Sequence, residues 1–185
     1  STKVRDEHKD FIRNLRETLS HRQRRVIDHL PFAHAAVLVP LFQKEKECHL
    51  LFTKRTHTVR YHKGEISFPG GVVDEGDSEL QQTALREAFE EIGLKEQDVQ
   101  LLGVLDDIVT TTEFIVTPFV GLFPYPYSFK VSPIEIAELI EVPLASLLDE
   151  KCFGEREIAQ GEERRIVYTY QYGNHTIWGA TALIL

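Results

Sequence analysis

The sequence predicts a mixed α/β fold in one domain. Three observations lead to this prediction: apolar runs of strand length alternate with segments of helical periodicity, no repeat or linker divides the chain, and 185 residues suit one hydrophobic core. We expect the domain to span residues 1–185, with a helical extension over 1–30.

The N-terminal region is predicted to be helical. Phe11, Leu15 and Leu19 recur at helical spacing and indicate a helix over 6–27. The basic run at 21–25 is then interpreted as a solvated helix face.

Strands are predicted from apolar runs and alternation further along the chain. The expected ranges are 35–42, 48–53, 99–105, 114–123, 136–142 and 165–172. Residues 55–71 are rich in Gly and Pro and are predicted to be mostly loop. Short helices are expected over 145–148 and from residue 180 onward.

The segment 79–92 is predicted to be an amphipathic helix ended by a glycine cap. At about 100° per residue, Glu87, Glu90 and Glu91 share a face with Arg86. The apolar arc is made of Ala84, Leu85, Ala88, Phe89 and Ile92. Spacing alone leaves two interpretations open, a solvated helix face or a hard-oxygen site for Mg²⁺ or Mn²⁺.

Bulk composition excludes several classes of protein. The chain has 21 Lys and Arg against 29 Asp and Glu, a net charge of −8, which argues against general nucleic-acid binding. No apolar run approaches the roughly 20 residues that span a bilayer, and the N-terminus lacks a secretory h-region. Two cysteines without CxxC spacing argue against a disulfide scaffold. We therefore expect a cytoplasmic protein without nucleic-acid or membrane partners.

The predicted helix carries a motif. Residues 86–94, Arg-Glu-Ala-Phe-Glu-Glu-Ile-Gly-Leu, resemble the second half of the Nudix box, Gly-x5-Glu-x7-Arg-Glu-U-x-Glu-Glu-x-Gly-U, if Ala88 is allowed as the aliphatic U. We place the box at about 71–94. Its first half departs, because Asp77 stands where the box has Glu and eight residues rather than seven separate it from Arg86. The role of Asp77 is left open.

This resemblance implies a Nudix hydrolase, which cleaves a nucleoside diphosphate linked to another group, with an α/β/α sandwich fold. By position, Glu90 and Glu91 would bind Mg²⁺ or Mn²⁺, with the backbone carbonyl of Gly70 as a further ligand. Glu87 would bind a metal or help to activate the attacking water, and Arg86 would orient the glutamates. A polyanionic pyrophosphate needs such metal ions to neutralise it.

Residues 51–71 resemble the coenzyme A-type motif, Leu-Leu-Thr-x-Arg-Ser/Ala-x3-Arg-x3-Gly-x3-Phe-Pro-Gly-Gly. Every spacing is kept, and Phe52 and Thr56 are mild departures. The resemblance implies a small-molecule substrate, CoA or its thioesters or disulfide, cleaved to 3′,5′-ADP and (acyl-)4′-phosphopantetheine. The alternatives are a broader pyrophosphatase acting on ADP-ribose or NADH, and a non-catalytic Nudix binding module.

The same motif implies substrate contacts. Arg55 and Arg60 are expected to bind phosphates, because CoA carries a 3′-phosphate besides its pyrophosphate; ordinary surface arginines are the alternative. Gly71 permits close backbone approach, and Phe68 either stacks on a substrate ring or packs beneath the loop.

An acid from outside the helix often completes sites of this family. Glu135, which precedes Val-Pro-Leu at 142–144, is the first candidate for a further metal ligand, and Glu138 is the second. Either is alternatively an exposed strand-end carboxylate. The sequence does not decide the oligomeric state, and a homodimer stays open.

Overall fold

The computed structural model describes residues 2–59, 64–149, 153–160, 163–178 and 180–185. Its α-helices are α1 (Thr2–His21), α2 (Leu80–Ile92), α3 (Leu144–Leu147) and α4 (Ala180–Ile184). Its strands are β1 (Ala33–Lys44), β2 (Glu47–Arg55), β3 (Ile66–Ser67), β4 (Gly70–Val72), β5 (Gln100–Val104), β6 (Ile108–Val109), β7 (Phe114–Leu122), β8 (Ile136–Pro143), β9 (Phe153–Gln160), β10 (Glu163–Tyr172) and β11 (His175–Trp178). One turn of 3₁₀ helix follows α2 at Glu96–Asp98.

The larger sheet is built around β1, which pairs parallel with β7 and antiparallel with β2. Its strand order is β3-β2-β1-β7-β5, and β4, β6 and β8 pair with β1, β7 and β2 respectively. Within the described residues, β9, β10 and β11 form a second, antiparallel sheet. A mixed sheet flanked by helices confirms the predicted α/β class.

Alternation along β1 divides the core into two layers. Leu38 and Phe42 point to the layer that also contains the apolar face of α2. Val39 and Leu41 point to the opposite layer, where α1, α3 and α4 contribute side chains. Helices therefore cover both faces of the sheet, as expected for an α/β/α sandwich.

The apolar face of α1 agrees only in part with its prediction. Ile12, Leu15 and Leu19 pack against the core, whereas Phe11 is 41% exposed. A Cβ at Gly103 of β5 would lie 2.6 Å from the Cβ of Leu19, so glycine here permits close packing of helix on sheet.

The predicted helix over 6–27 is wrong at its C-terminal end, because the segment 22–27 is irregular. The carboxylates of Asp106 and Asp107 accept hydrogen bonds from the side chains of Arg22 and Arg24 and from two backbone N–H groups of this segment. These bonds replace helical ones. The basic run is therefore not a solvated helix face but the attachment of the N-terminal segment.

All six predicted strands occur, with bounds shifted by a few residues, and the described part of the chain contains five others that were not predicted. Three of these, β3, β4 and β6, are only two or three residues long. Strand β9 is largely polar and is defined by its pairing with β10. Among the described residues, no helix combines the length and the apolarity needed to cross a bilayer.

Candidate active site

The rotation of α2 decides which of its side chains reach the site. The helix ends at Gly93, whose φ of 71° is left-handed and whose N–H bonds to the carbonyl of Phe89, as a glycine cap requires. Glu91 is only 2% exposed, whereas Phe89, expected on the apolar arc, is 54% exposed. On a helical wheel, Glu91 lies only about 20° from Ala84, an edge residue of the predicted apolar arc. The arc that is actually buried is therefore rotated towards Glu91 and away from Phe89.

Glu91 is a buried carboxylate. Its Oε2 accepts a hydrogen bond of 2.8 Å from the backbone N–H of Gly70, and its Oε1 lies 3.7 Å from Nη1 of Arg55. Burial raises the pKa of Glu91 to about 8. The Gly70 N–H and Arg55 oppose this rise. Two neighbouring carboxylates, Glu87 and Glu135, add to it.

Glu87 lies beside Glu91 in a confined position, with its side chain 19% exposed. Burial raises the pKa of Glu87, and the charge of Arg86 opposes the rise. A Cβ at Gly71 would lie 2.6 Å from both Cδ and Oε1 of Glu87. Glycine at position 71 therefore leaves the space that this carboxylate occupies.

Arg86 connects the carboxylates of α2 to the loop before the helix. Its Nη1 donates to Oε1 of Glu87 at 3.1 Å and to Glu90 at 3.3 Å. Its Nε and Nη2 donate to the two oxygens of Asp77 at 3.0 and 2.9 Å. Arg86 thus makes the hydrogen bonds that an orienting residue needs.

Asp77, whose role the sequence leaves open, anchors this loop. Its side chain is 5% exposed and also accepts hydrogen bonds of 2.9 Å from Thr83 Oγ1 and from the N–H of Asp74. The Arg86 guanidinium holds the pKa of Asp77 well below its ordinary value. The N–H of Asp77 bonds back to the carbonyl of Asp74 and closes the turn that precedes the carboxylate, whereas the extra residue lies after this turn, between Asp77 and Arg86. Position 83 is a variable position of the box, so the motif does not predict the hydrogen bond between Thr83 and Asp77.

The structure brings the coenzyme A-type motif to the same place. Arg55, the last residue of β2, faces Glu91. Glu135 is exposed, and its charge acts on both carboxylates of α2 that face the site. Glu138, the second candidate, instead has its carboxylate 3.9 Å from His175.

The remaining motif residues differ in their surroundings. Phe68 is 4% exposed and stacks on Phe52 with ring centroids 4.7 Å apart. Of its two predicted positions, this corrects the contact with a substrate ring, because the buried side chain packs beneath the loop. A Cβ at Gly70 would lie 2.5 Å from the carbonyl oxygen of Ala36, so glycine permits β4 to pack on β1. Arg60 lies outside the described residues.

This collection of carboxylates suits a divalent metal. Four glutamates offer hard oxygen ligands, and the two nearby arginines leave a net negative charge. Among the described residues, no three His, Cys, Asp or Glu side chains are gathered closely enough to enclose an ion. Proteins usually hold Mg²⁺ with one or two carboxylates together with substrate phosphates, so each ion here would be bound by one or two of these glutamates and by the substrate.

Comparison with known proteins identifies the family. Residues 32–160 match the model of the NUDIX domain. The chain belongs to the Nudix family. It is 39% identical over 176 residues to a Photorhabdus laumondii protein named "uncharacterized Nudix hydrolase NudL", covering 95% of this chain and 92% of that one. The family resemblance inferred from the box is confirmed, and we describe the chain as a Nudix hydrolase acting on nucleoside diphosphate derivatives.

Solved Nudix structures share the fold. The Nudix hydrolase RenU of M. smegmatis gives a TM-score of 0.53 at 19% identity, covering 63% of this chain and 73% of its own. The Ap4A hydrolase of C. elegans gives 0.51 at 19% identity, covering 61% and 81%. At this identity the comparison shows a common architecture. Nudix hydrolases generally use divalent metal cations, in agreement with the carboxylates described above.

Proposed function

We propose that this Nudix hydrolase cleaves the pyrophosphate bond of coenzyme A, its thioesters or its disulfide, giving 3′,5′-ADP and (acyl-)4′-phosphopantetheine. The observation that carries the proposal is the contact between two motifs distant in sequence. Nη1 of Arg55, from the coenzyme A-type motif, lies 3.7 Å from Oε1 of Glu91, from the box. An arginine so close to a proposed metal ligand is suitably placed to bind a phosphate of the same substrate.

The roles proposed for the carboxylates follow from their surroundings. Bound Mg²⁺ or Mn²⁺ would neutralise the pyrophosphate and lower the pKa of the attacking water. Glu90, Glu91 and Glu135, with the carbonyl of Gly70, are the proposed ligands. Glu87 is proposed as a further ligand or as the group that accepts a proton from the attacking water, and its raised pKa favours the second role.

The substrate roles rest on charge and space. The Arg55 side chain is 24% exposed, so it can contact Glu91 and still meet a phosphate. Arg60 is proposed for a second phosphate from its place in the motif alone. Gly71 leaves the space that the Glu87 carboxylate occupies, and its backbone is proposed to approach the diphosphate closely. Arg86 is proposed to hold Glu87 and Glu90 in position.

The deciding experiment is a substrate panel with Mg²⁺ or Mn²⁺ and chromatography of the products. Free CoA, an acyl-CoA and oxidised CoA are compared with ADP-ribose and NADH. We expect 3′,5′-ADP from the CoA species. Cleavage of ADP-ribose or NADH without any 3′,5′-ADP from CoA would contradict the proposed substrate. Folded protein that cleaves none of these would favour a binding module instead.

Arg55 gives a sharper test of substrate recognition. We expect Arg55→Ala to lower kcat/KM for CoA by about 10- to 100-fold, the loss of a charged hydrogen bond. Arg55→Lys should restore only part of it, because lysine lacks the planar fork. Arg13→Ala, at an exposed pair on α1, is the matched control. Equal kinetics for Arg55→Ala and the control would refute this contact.

A further inference from the structure

Two threonine hydroxyls join the coenzyme A-type motif to the turn that carries Glu135. Oγ1 of Thr56 donates to the carbonyl of Ile134 at 2.6 Å, and the N–H of Thr56 donates to the carbonyl of Glu135 at 2.9 Å. Oγ1 of Thr58 donates to the same Ile134 carbonyl at 3.3 Å and lies 3.0 Å from Oγ1 of Thr56. These bonds converge on two consecutive carbonyl groups.

Apolar packing does little to hold this turn. The turn spans 133–135, just before β8, and its three residues are exposed. Ile134 is 73% exposed, while the next residue, Ile136, is only 3% exposed. Since little apolar surface is buried at the turn itself, hydrogen bonds hold its backbone: those from the Thr56 loop, together with the bond from the N–H of Ile136 to the carbonyl of Ser132.

The position of this backbone matters for the site, because Glu135 is exposed and its side chain has several rotatable bonds. Few contacts fix the carboxylate of such a side chain, so its location is determined mainly by the position of its Cα atom. Arg55 pairs with Ile136, the residue after Glu135, and its Nη1 lies 3.7 Å from Oε1 of Glu91, so the turn that carries Glu135 lies beside the carboxylates of α2.

We propose that Thr56 and Thr58 are positioning residues for the metal site: their hydroxyls hold the Ile134–Glu135 peptide so that the Glu135 carboxylate faces α2. This inference rests on the proposed role of Glu135 as a metal ligand. Two adjacent residues at the end of β2 then have different roles: Arg55 binds the substrate, and Thr56 positions the metal ligand Glu135.

The test measures Mn²⁺ affinity by calorimetric titration of the full chain without substrate. Thr56→Val removes the hydroxyl and keeps the side-chain shape, and we expect about 2- to 10-fold weaker Mn²⁺ binding. Thr56→Ser, which restores a hydroxyl donor, should return the affinity towards wild type. Thr58→Val removes the longer bond and should cause a smaller loss.

A double-mutant cycle shows whether Thr56 acts through Glu135. Glu135→Gln should itself weaken Mn²⁺ binding, and adding Thr56→Val should then have no further effect. Thr110→Val, which removes a hydroxyl from an exposed turn between β6 and β7, is the matched control and should bind Mn²⁺ like wild type.

Three outcomes would overturn the inference. They are wild-type affinity in Thr56→Val, wild-type affinity in Glu135→Gln, and equal losses from Thr56→Val in the presence and absence of Glu135. Thermal unfolding without metal verifies that each variant is folded. Because the titration contains no substrate, failure of the wild-type protein to cleave CoA would contradict the proposed substrate and leave this result unaffected.

Discussion

Gly71 shows how one absent side chain makes room for a proposed catalytic group. A Cβ at this position would lie 2.6 Å from the Cδ and Oε1 atoms of Glu87, so Gly71→Ala must displace the carboxylate or β4. We expect kcat to fall by about tenfold or more, because small displacements of a reacting group are costly. Steady-state kinetics measure the effect.

The matched control is Gly76→Ala, where no heavy atom lies within 4 Å of the added Cβ. It should leave kcat and KM unchanged. If Gly71→Ala also behaved like wild type, the carboxylate of Glu87 would not need its present position.

Glu91 combines burial with a proposed metal-binding role. Glu91→Gln keeps the side-chain shape and an oxygen that can accept the Gly70 N–H, but removes the charge. We expect turnover to fall by about 100-fold or more, since the proposed ligand loses its charge. Above about pH 8, where the Glu91 carboxylate is ionised, the metal-free variant should unfold at the wild-type temperature or higher, because a buried charge is no longer desolvated.

Glu96→Gln changes an exposed carboxylate just after α2 and serves as the control for this substitution. It should retain full activity. Unchanged activity in Glu91→Gln would remove the metal assignment of Glu91.

At the scale of elements, Asp107 attaches the N-terminal segment to the sheet. Its side chain is 4% exposed and accepts hydrogen bonds from Arg24 Nη1 at 2.6 Å, the Ile27 N–H at 3.0 Å and Thr117 Oγ1 at 2.7 Å. Burial opposes ionisation, but these bonds outweigh it and hold the pKa of Asp107 below its ordinary value.

This lowered pKa predicts a pH-dependent contribution to stability. The ionised Asp107 stabilises the folded chain above its unfolded pKa of about 4, and the contribution is lost as the pH falls through the lower folded pKa. We expect Asp107→Asn to lower the free energy of unfolding by about 1–3 kcal/mol at neutral pH. The difference from wild type should shrink in acid.

Thermal or urea unfolding across pH measures this difference. Asp10→Asn, at an exposed ion pair within α1, should change stability by less than about 1 kcal/mol. A destabilisation by Asp107→Asn that stayed constant down to low pH would contradict the ionised anchor.

Periodicity along the chain was sufficient for the elements that bury their own apolar face. Helical periodicity located α2, and apolar runs located β1 and β2, which are buried along most of their length. It failed where contacts distant in sequence determine the conformation. The conformation of the chain after α1 is determined by hydrogen bonds to Asp106 and Asp107, some eighty positions later in the sequence. The local sequence contains no pattern that predicts this pairing.

The same distinction applies to the site. Motif spacing selected Arg55, Glu87 and Glu91, which the structure brings together. It did not decide between burial of the Phe68 ring and contact with substrate, because that depends on stacking with Phe52 in the layer opposite α2. It also did not indicate that Asp77 would hold Arg86, because that depends on the path of the loop before α2.

At the scale of the whole molecule, strand order assembles the site. Pairing of β8 with β2 brings Glu135 next to Arg55, and pairing of β4 with β1 carries Gly70 over α2. Segments about 80 residues apart along the chain thereby meet at one edge. Metal binding at this edge should therefore stabilise the folded chain as a unit, by about 2.7 kcal/mol at a free concentration of 100 times Kd.

This stabilisation should depend on pH. Burial raises the pKa of Glu91 from 4.5 to about 8, so the metal-free folded chain binds a proton that the unfolded chain releases. Its stability should fall as the pH rises between these values. Since metal binding requires the ionised carboxylate, the rise in Tm with saturating Mg²⁺ should be larger near about pH 8.5 than near about pH 6.5.

Thermal unfolding with and without Mg²⁺ at the two pH values measures this dependence. In Glu91→Gln, the rise in Tm with Mg²⁺ should be smaller than in the wild-type protein, and it should be the same at the two pH values. A rise in the wild-type protein that did not change with pH would show that the Glu91 proton is not displaced by metal.

The turn over 74–77 has a consequence for finding distant members of the family. Although one extra residue separates Asp77 from Arg86, the turn places the Asp77 carboxylate against the edge of the Arg86 guanidinium formed by Nε and Nη2. A shorter acid that precedes the arginine by eight intervening residues thus replaces a longer acid that precedes it by seven. Searches that demand a fixed count between acid and arginine will overlook such chains, whereas a rule based on reach to the guanidinium will retain them.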